Sequence, residues 1–141
     1  MSDSPRKPFF DTNILIYAVS QNDSRAEIAE ELLSRGGIIS VQVLNEFAAT
    51  ASRKLNMSWG KIAEALGAFR ALSKPVMPLT VELHDTALEV AARYGYHIYD
   101  ALIVAAAIEA GCDVVFSEDM QEGQRIGKLT IRNPFARHRR N

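Results

Sequence analysis

The sequence predicts an α/β fold in a single domain, with a central parallel sheet of about five short strands flanked by helices. Two observations carry this. Apolar runs of three to five residues alternate with helical patterns of ten to fifteen, and that alternation implies parallel strands joined by helical crossovers. The length of 141 residues matches one domain, and no repeat or linker interrupts the pattern.

The elements follow in order. Residues 1–7 read as a loose arm. Pro8-Phe9-Phe10 is a short apolar strand ending at Asp11-Thr12-Asn13, with the apolar run Ile14-Leu15-Ile16-Tyr17 behind it. Ser24-Arg25-Ala26-Glu27 matches a capping box, and Ala26, Ile28, Ala29, Leu32 and Leu33 continue a helical stripe until Gly36-Gly37 stops it. Ile38-Ile39 is a second strand, and Ser40 caps a helix in which Val43, Leu44, Phe47, Ala48 and Ala51 recur at three and four. A further helix fits Ser58 to about Leu72. Val76-Met77-Pro78-Leu79 reads as a third strand, Thr80 caps a helix to Tyr94, and Gly95 ends it. Tyr99 to Ala110 is apolar all round, the mark of a buried helix. Asp113–Phe116 is the clearest strand, Leu129-Thr130-Ile131 is the last, and residues 132–141 form a basic tail with four arginines and one histidine.

Composition excludes several classes. Hydrophobic residues at 48% and charged residues at 23% supply a core and rule out a disordered or low-complexity chain. Cys112 is the only cysteine, so neither an internal disulfide nor a cysteine zinc cluster can form, which fits a cytoplasmic setting. The longest uncharged apolar run, Ala101–Ile108, is far below the roughly 18–20 residues that span a bilayer, and no apolar segment follows the charges at Met1–Pro8, so no secretory signal is read there. A net charge of −1 gives no global attraction to nucleic acid; such binding needs a local patch or a bound metal.

Four acids stand where an acid is awkward. Asp11 directly follows the first strand, and Asp119 follows the strand Asp113–Phe116 across Ser117-Glu118. Ligands of open α/β sheets bind beyond the carboxyl ends of strands, where strand order reverses. Carboxylates on neighbouring strands repel unless a cation lies between them. Asp100 opens the apolar helix, and Glu46 sits at the edge of an apolar stripe between Leu44 and Phe47. Taken singly, Asp11, Asp100 and Asp119 could be helix caps and Glu46 an exposed edge residue. Together they are the hard oxygen donors that Mg²⁺ or Mn²⁺ prefers, and such a metal is a standard means of hydrolysing a phosphodiester. The expectation is one shared divalent-metal site.

The stretches Phe9–Tyr17, Ser40–Phe47, Tyr99–Ala107 and Phe116–Gln121, with Asn133-Pro134-Phe135 after the last strand, resemble the PIN domain, specifically its VapC-type toxin branch, over nearly the whole chain. The resemblance implies a Rossmann-like three-layer fold and Mg²⁺- or Mn²⁺-dependent endoribonuclease activity. It matches Asp11, Glu46, Asp100 and Asp119 to the catalytic, metal-holding acids, and Asn13 and Ser117 to supporting polar positions. It also implies a homodimer and a cognate antitoxin protein as partner. One departure is His97, at a position where the branch often has serine.

Other readings carry less. His84, His97 and His138 show no metal-ligand spacing, and there is no G-x-S-x-G elbow, Walker A or G-x-G-x-x-G loop. Arg132, Arg137, Arg139 and Arg140 could contact RNA backbone or simply form a solvated terminus. An aspartate-nucleophile phosphatase would use Asp11 but needs a second aspartate where Asn13 stands. A non-catalytic interaction module on the same scaffold would be expected to lose some of the acids.

Overall fold

A computed structural model, describing residues 7–136, places the two-residue strand β1 (Phe9–Phe10) in the middle of a sheet of six strands among the described residues. The order is β3 (Ser73–Met77), β2 (Gly37–Ser40), β1, β4 (Val114–Phe116), β6 (Leu129–Arg132), β5 (Arg125–Ile126). All pairings are parallel except β5 with β6. The helices are α1 (Thr12–Val19), α2 (Ala26–Ser34), α3 (Val41–Lys54), α4 (Trp59–Leu72), α5 (Val81–Tyr94) and α6 (Ile98–Glu109). No described helix is long and apolar enough to cross a membrane.

Local chemistry explains most boundaries. Ser40, Ser58 and Thr80 each accept from a backbone amide three residues on, at 3.2, 3.2 and 3.0 Å, and so start α3, α4 and α5. The expected capping box at Ser24 does not set the start of α2. Arg25 is the N-cap and offers no side-chain cap, while Asp23 Oδ1 accepts from the Arg25 amide at 2.9 Å. Gly37 opens β2 because nothing larger fits. A Cβ there would lie 2.3 Å from Phe10 Cε2 and 2.8 Å from the Pro8 carbonyl oxygen. Along α6, Ala101 to Ala107 are all buried, packed on β2, β4, α3 and α5. The central strands bury Phe9, Phe10, Ile39, Val115 and Ile131 completely, each worth about 1.5–3 kcal/mol of transfer from water.

Two strands differ from expectation. β3 runs from Ser73 to Met77, so Pro78 and Leu79 lie beyond it and Lys74-Pro75 lies within it. A proline cannot donate to a central ladder, but β3 is an edge strand and tolerates one. The second difference is β5, which forms a hairpin with β6 around Gly127-Lys128. Gly127 holds φ +62° at the first turn position, where glycine is favoured.

The topology positions the site. From β1 the sheet grows through β2 to β3 on one side, and through β4 to β6 on the other. Strand order therefore reverses at the β1–β4 pair, and the crevice beyond those carboxyl ends is the binding place of open α/β sheets. The register Phe10↔Phe116 brings the two chains out side by side, and the Asp11 amide donates to the Phe116 carbonyl at 3.0 Å.

Candidate active site

Asp11 leaves β1 and at once caps α1. Its Oδ1 accepts from the Thr12 amide at 2.7 Å, and its Oδ2 accepts from Ser117 Oγ at 2.7 Å. Capping is thus one of its jobs, yet it is only 4% exposed, which no surface cap requires. Burial pushes its pKa up to about 7; the Ser117 and Thr12 hydrogen bonds oppose the rise, and the charges of Asp100 and Glu46 add to it.

Glu46 faces the same crevice from α3. Thr12 Oγ1 donates to its Oε1 at 3.1 Å, and Gln42 Nε2, one turn back, donates to Oε2 at 2.8 Å. Its pKa is raised, first by burial and then by Asp100, against the pull of Gln42 and Thr12. Asp100 lies in the first turn of α6, with His97 Nε2 3.0 Å from its Oδ2. Burial raises its pKa as well, opposed by His97 and reinforced by Asp119.

Asp119 is carried on the loop after β4 and is held by Asn13. Asn13 Nδ2 donates to Asp119 Oδ2 at 3.2 Å, and Asn13 Oδ1 accepts from the Glu118 amide at 3.3 Å. Behind that loop, Arg25 Nη1 meets Glu118 Oε2 at 3.1 Å while its guanidinium stacks over the Tyr17 ring at 4.0 Å. The Tyr17 hydroxyl donates to Glu118. The loop bearing the last acid is therefore fastened from two sides.

Glu46, Asp100 and Asp119 line one open cleft of about 840 Å³, and Asp11 lies buried beside them, within reach of the Glu46 and Asp100 charges. Among the described residues no three His, Cys, Asp or Glu side chains form a ready metal cage; each carboxylate is held by its own donors. The donor set nevertheless suits a hard divalent cation, since several carboxylates at raised pKa sit among neutral amides and hydroxyls. Asn13 and Ser117 stand in contact with Asp119 and Asp11 as supports. Arg132 does not line the cleft; its Nη1 lies 3.3 Å from Glu122 Oε2. Arg137, Arg139 and Arg140 lie outside the described residues. Thr12, Gln42 and His97 were not singled out as site residues by sequence, although Gln42 and His97 stand one helical turn before an acid, the spacing at which side chains meet.

The family model of the PIN domain matches residues 9–126. The chain belongs to the PIN domain family. Among solved structures, VapC20 of Mycobacterium tuberculosis, a sarcin–ricin loop cleaving toxin, is 24% identical with a TM-score of 0.65, over 79% of this chain and 90% of that one. VapBC2 of Rickettsia felis, bound to a DNA fragment from its promoter, is 21% identical at a TM-score of 0.64, over 89% and 96%. A toxin–antitoxin complex from Klebsiella pneumoniae is 18% identical at 0.67, over 90% and 97%. These neighbours share their fold with this chain. No curated protein matches the sequence.

Proposed function

We propose that this PIN domain is a divalent-metal-dependent endoribonuclease and the toxin of a toxin–antitoxin pair, working in the cytoplasm as a homodimer restrained by a cognate antitoxin protein. The observation that supports the reading is a switch-point cleft lined by Glu46, Asp100 and Asp119, with Asp11 buried beside it, and with burial and neighbouring carboxylates raising the pKa of Asp11, Glu46 and Asp100. The VapC20 neighbour is a sarcin–ricin loop cleaving toxin, and the Klebsiella neighbour is a toxin–antitoxin complex.

Asp11, Glu46, Asp100 and Asp119 would hold Mg²⁺ or Mn²⁺. When bound, the metal supplies an activated water and neutralises charge on the scissile phosphate. The rest is done by the chain. Ser117 and the Thr12 amide aim the Asp11 oxygens. Thr12 and Gln42 fix both Glu46 oxygens, and Asn13 sets Asp119. Such support keeps ligands in position before substrate arrives, which lowers the cost of reorganisation. Asp11 must shed a proton near neutral pH to become a ligand.

Cleavage of a single-stranded RNA by the purified chain tests this. Activity should require Mg²⁺ or Mn²⁺, stop with EDTA, and fall by most of its value in Asp100→Asn, whose circular dichroism stays native. Cleavage that persists in both EDTA and Asp100→Asn overturns it.

A further inference from the structure

We propose that the cleft between α3 and α6 is a single-stranded RNA track, in which Tyr99 of α6 stacks one base and Arg53 of α3 takes a nearby phosphate. The inference rests on the ribonuclease reading and states how the substrate would be held.

The argument starts from charge. The cleft is walled by Glu46, Asp100 and Asp119, and the chain carries a net charge of −1, so a polyanion needs a local cation to enter. Arg53 lines the same cleft and is exposed. Among the described residues it makes no ion pair, whereas Arg25, Arg35 and Arg132 each have a carboxylate partner. It stands seven residues after Glu46 on α3, two turns on, and so about 10 Å along the same face. A guanidinium there suits a phosphate flanking the one at the acids.

Tyr99 supplies the second, independent observation. It precedes Asp100 on α6, a helix otherwise buried from Ala101 to Ala107, yet it is 58% exposed and lines the cleft. Its ring takes part in none of the aromatic or cation–π contacts among the described residues. An open aromatic face beside an acid cleft is what a base stacks on, and stacking accepts any base. It requires that the base be free of a duplex, because paired bases already cover each other's faces. The substrate class that fits is a loop, bulge or single-stranded end.

Fluorescence anisotropy and initial rates with the full chain distinguish the possibilities, using labelled oligo(U) and oligo(A) RNA, the same RNA as duplex, and a DNA strand. Tyr99→Ala should raise Kd and KM for single-stranded RNA by about 5- to 150-fold with kcat little changed, while Tyr99→Phe keeps the ring and behaves as wild type. Arg53→Gln should weaken oligo(U) and oligo(A) equally and make the slope of log Kd against log salt shallower by about 0.7. Duplex RNA should bind worse than the single strands in wild type and equally poorly in Tyr99→Ala. If wild type cleaves RNA and both variants keep its KM and Kd, the track is wrong and the ribonuclease reading stands. If wild type neither binds nor cleaves RNA with Mg²⁺ or Mn²⁺, that reading falls and the track with it. A Tyr99→Ala protein that handles RNA normally but no longer retains a co-expressed antitoxin assigns this face to the protein partner and overturns the proposal.

Discussion

Ser117 Oγ donates to Asp11 Oδ2 at 2.7 Å across the β1–β4 pair. The same hydroxyl oxygen accepts from the Met120 amide at 3.3 Å, so one buried serine ties the deepest carboxylate to the loop that carries Asp119. Its bond to Asp11 favours the ionised form and works against burial.

Ser117→Ala therefore removes a support of the charged state. The pKa of Asp11 should rise above about 7, and Mn²⁺ affinity measured by calorimetry near neutral pH should fall about 10- to 100-fold, the usual effect of losing an outer partner of a ligand. The loss should shrink as pH is raised, because a deprotonated Asp11 is then available again. A pH-independent loss would mean that Ser117 acts through the fold alone.

Thr12 and Gln42 hold opposite oxygens of Glu46. Thr12→Val keeps shape and removes one donor; Gln42→Leu removes the other. Each should cost stability by about 1 kcal/mol in thermal or urea melts. The double variant should lose more ribonuclease activity than the product of the two single losses, because one remaining donor still orients the carboxylate and none leaves it free to turn. Strictly multiplicative losses would show that the two donors act independently.

Gly37→Ala tests how the centre of the sheet is closed. The added Cβ would overlap the Phe10 ring at 2.3 Å and the Pro8 carbonyl at 2.8 Å. The ring is fully buried and stacks against Phe116 at 6.2 Å between centroids, so it cannot swing clear. A loss of about 3 kcal/mol or more is expected in denaturant melts, at the upper end of overpacking costs. A change below about 1 kcal/mol would mean that β1 and β2 separate more readily than this packing implies.

The parts of this fold that were legible in sequence are those decided locally. Ser40, Ser58 and Thr80 start helices because a side-chain oxygen meets an amide three residues away, and Ala101–Ala107 declares its burial by having no polar face. Asp11 and Asp119 stood out because each follows a strand, and strand ends are where this topology builds sites. Pairing across the sheet was not legible. Pro75 looks like a boundary unless β3 is known to be an edge, and Arg125-Ile126 is too short to show alternation until β6 lies beside it. The same limit hid Thr12, whose hydroxyl serves Glu46 from 34 positions away. His97 and Gln42 were a turn from their acids, but a one-turn spacing is common on any helix and marks a partner only once the acid is known to matter.

Asp11→Asn reports on the cost of the buried charge. With a folded-state pKa raised from 3.8 to about 7, Asp11 keeps its proton in the native state between those values while the unfolded chain has lost it. The native state then binds more protons, so stability falls as pH rises through this window and levels off above it. A shift of that size corresponds to about 4 kcal/mol at most, and the raised pKa values of Glu46 and Asp100 act in the same direction. Asparagine carries no charge, its oxygen can accept from the Thr12 amide, and its amide can donate to Ser117 Oγ. In EDTA the variant should therefore match wild type near pH 4 and melt about 5–15 °C higher at pH 8, at roughly 3–5 °C per kcal/mol for a chain of this length. Mn²⁺ at a hundred times its dissociation constant should return about 2.7 kcal/mol to wild type and much less to the variant. Parallel pH profiles in EDTA, together with equal responses to Mn²⁺, would mean that Asp11 is only a helix cap and that no cation joins these carboxylates.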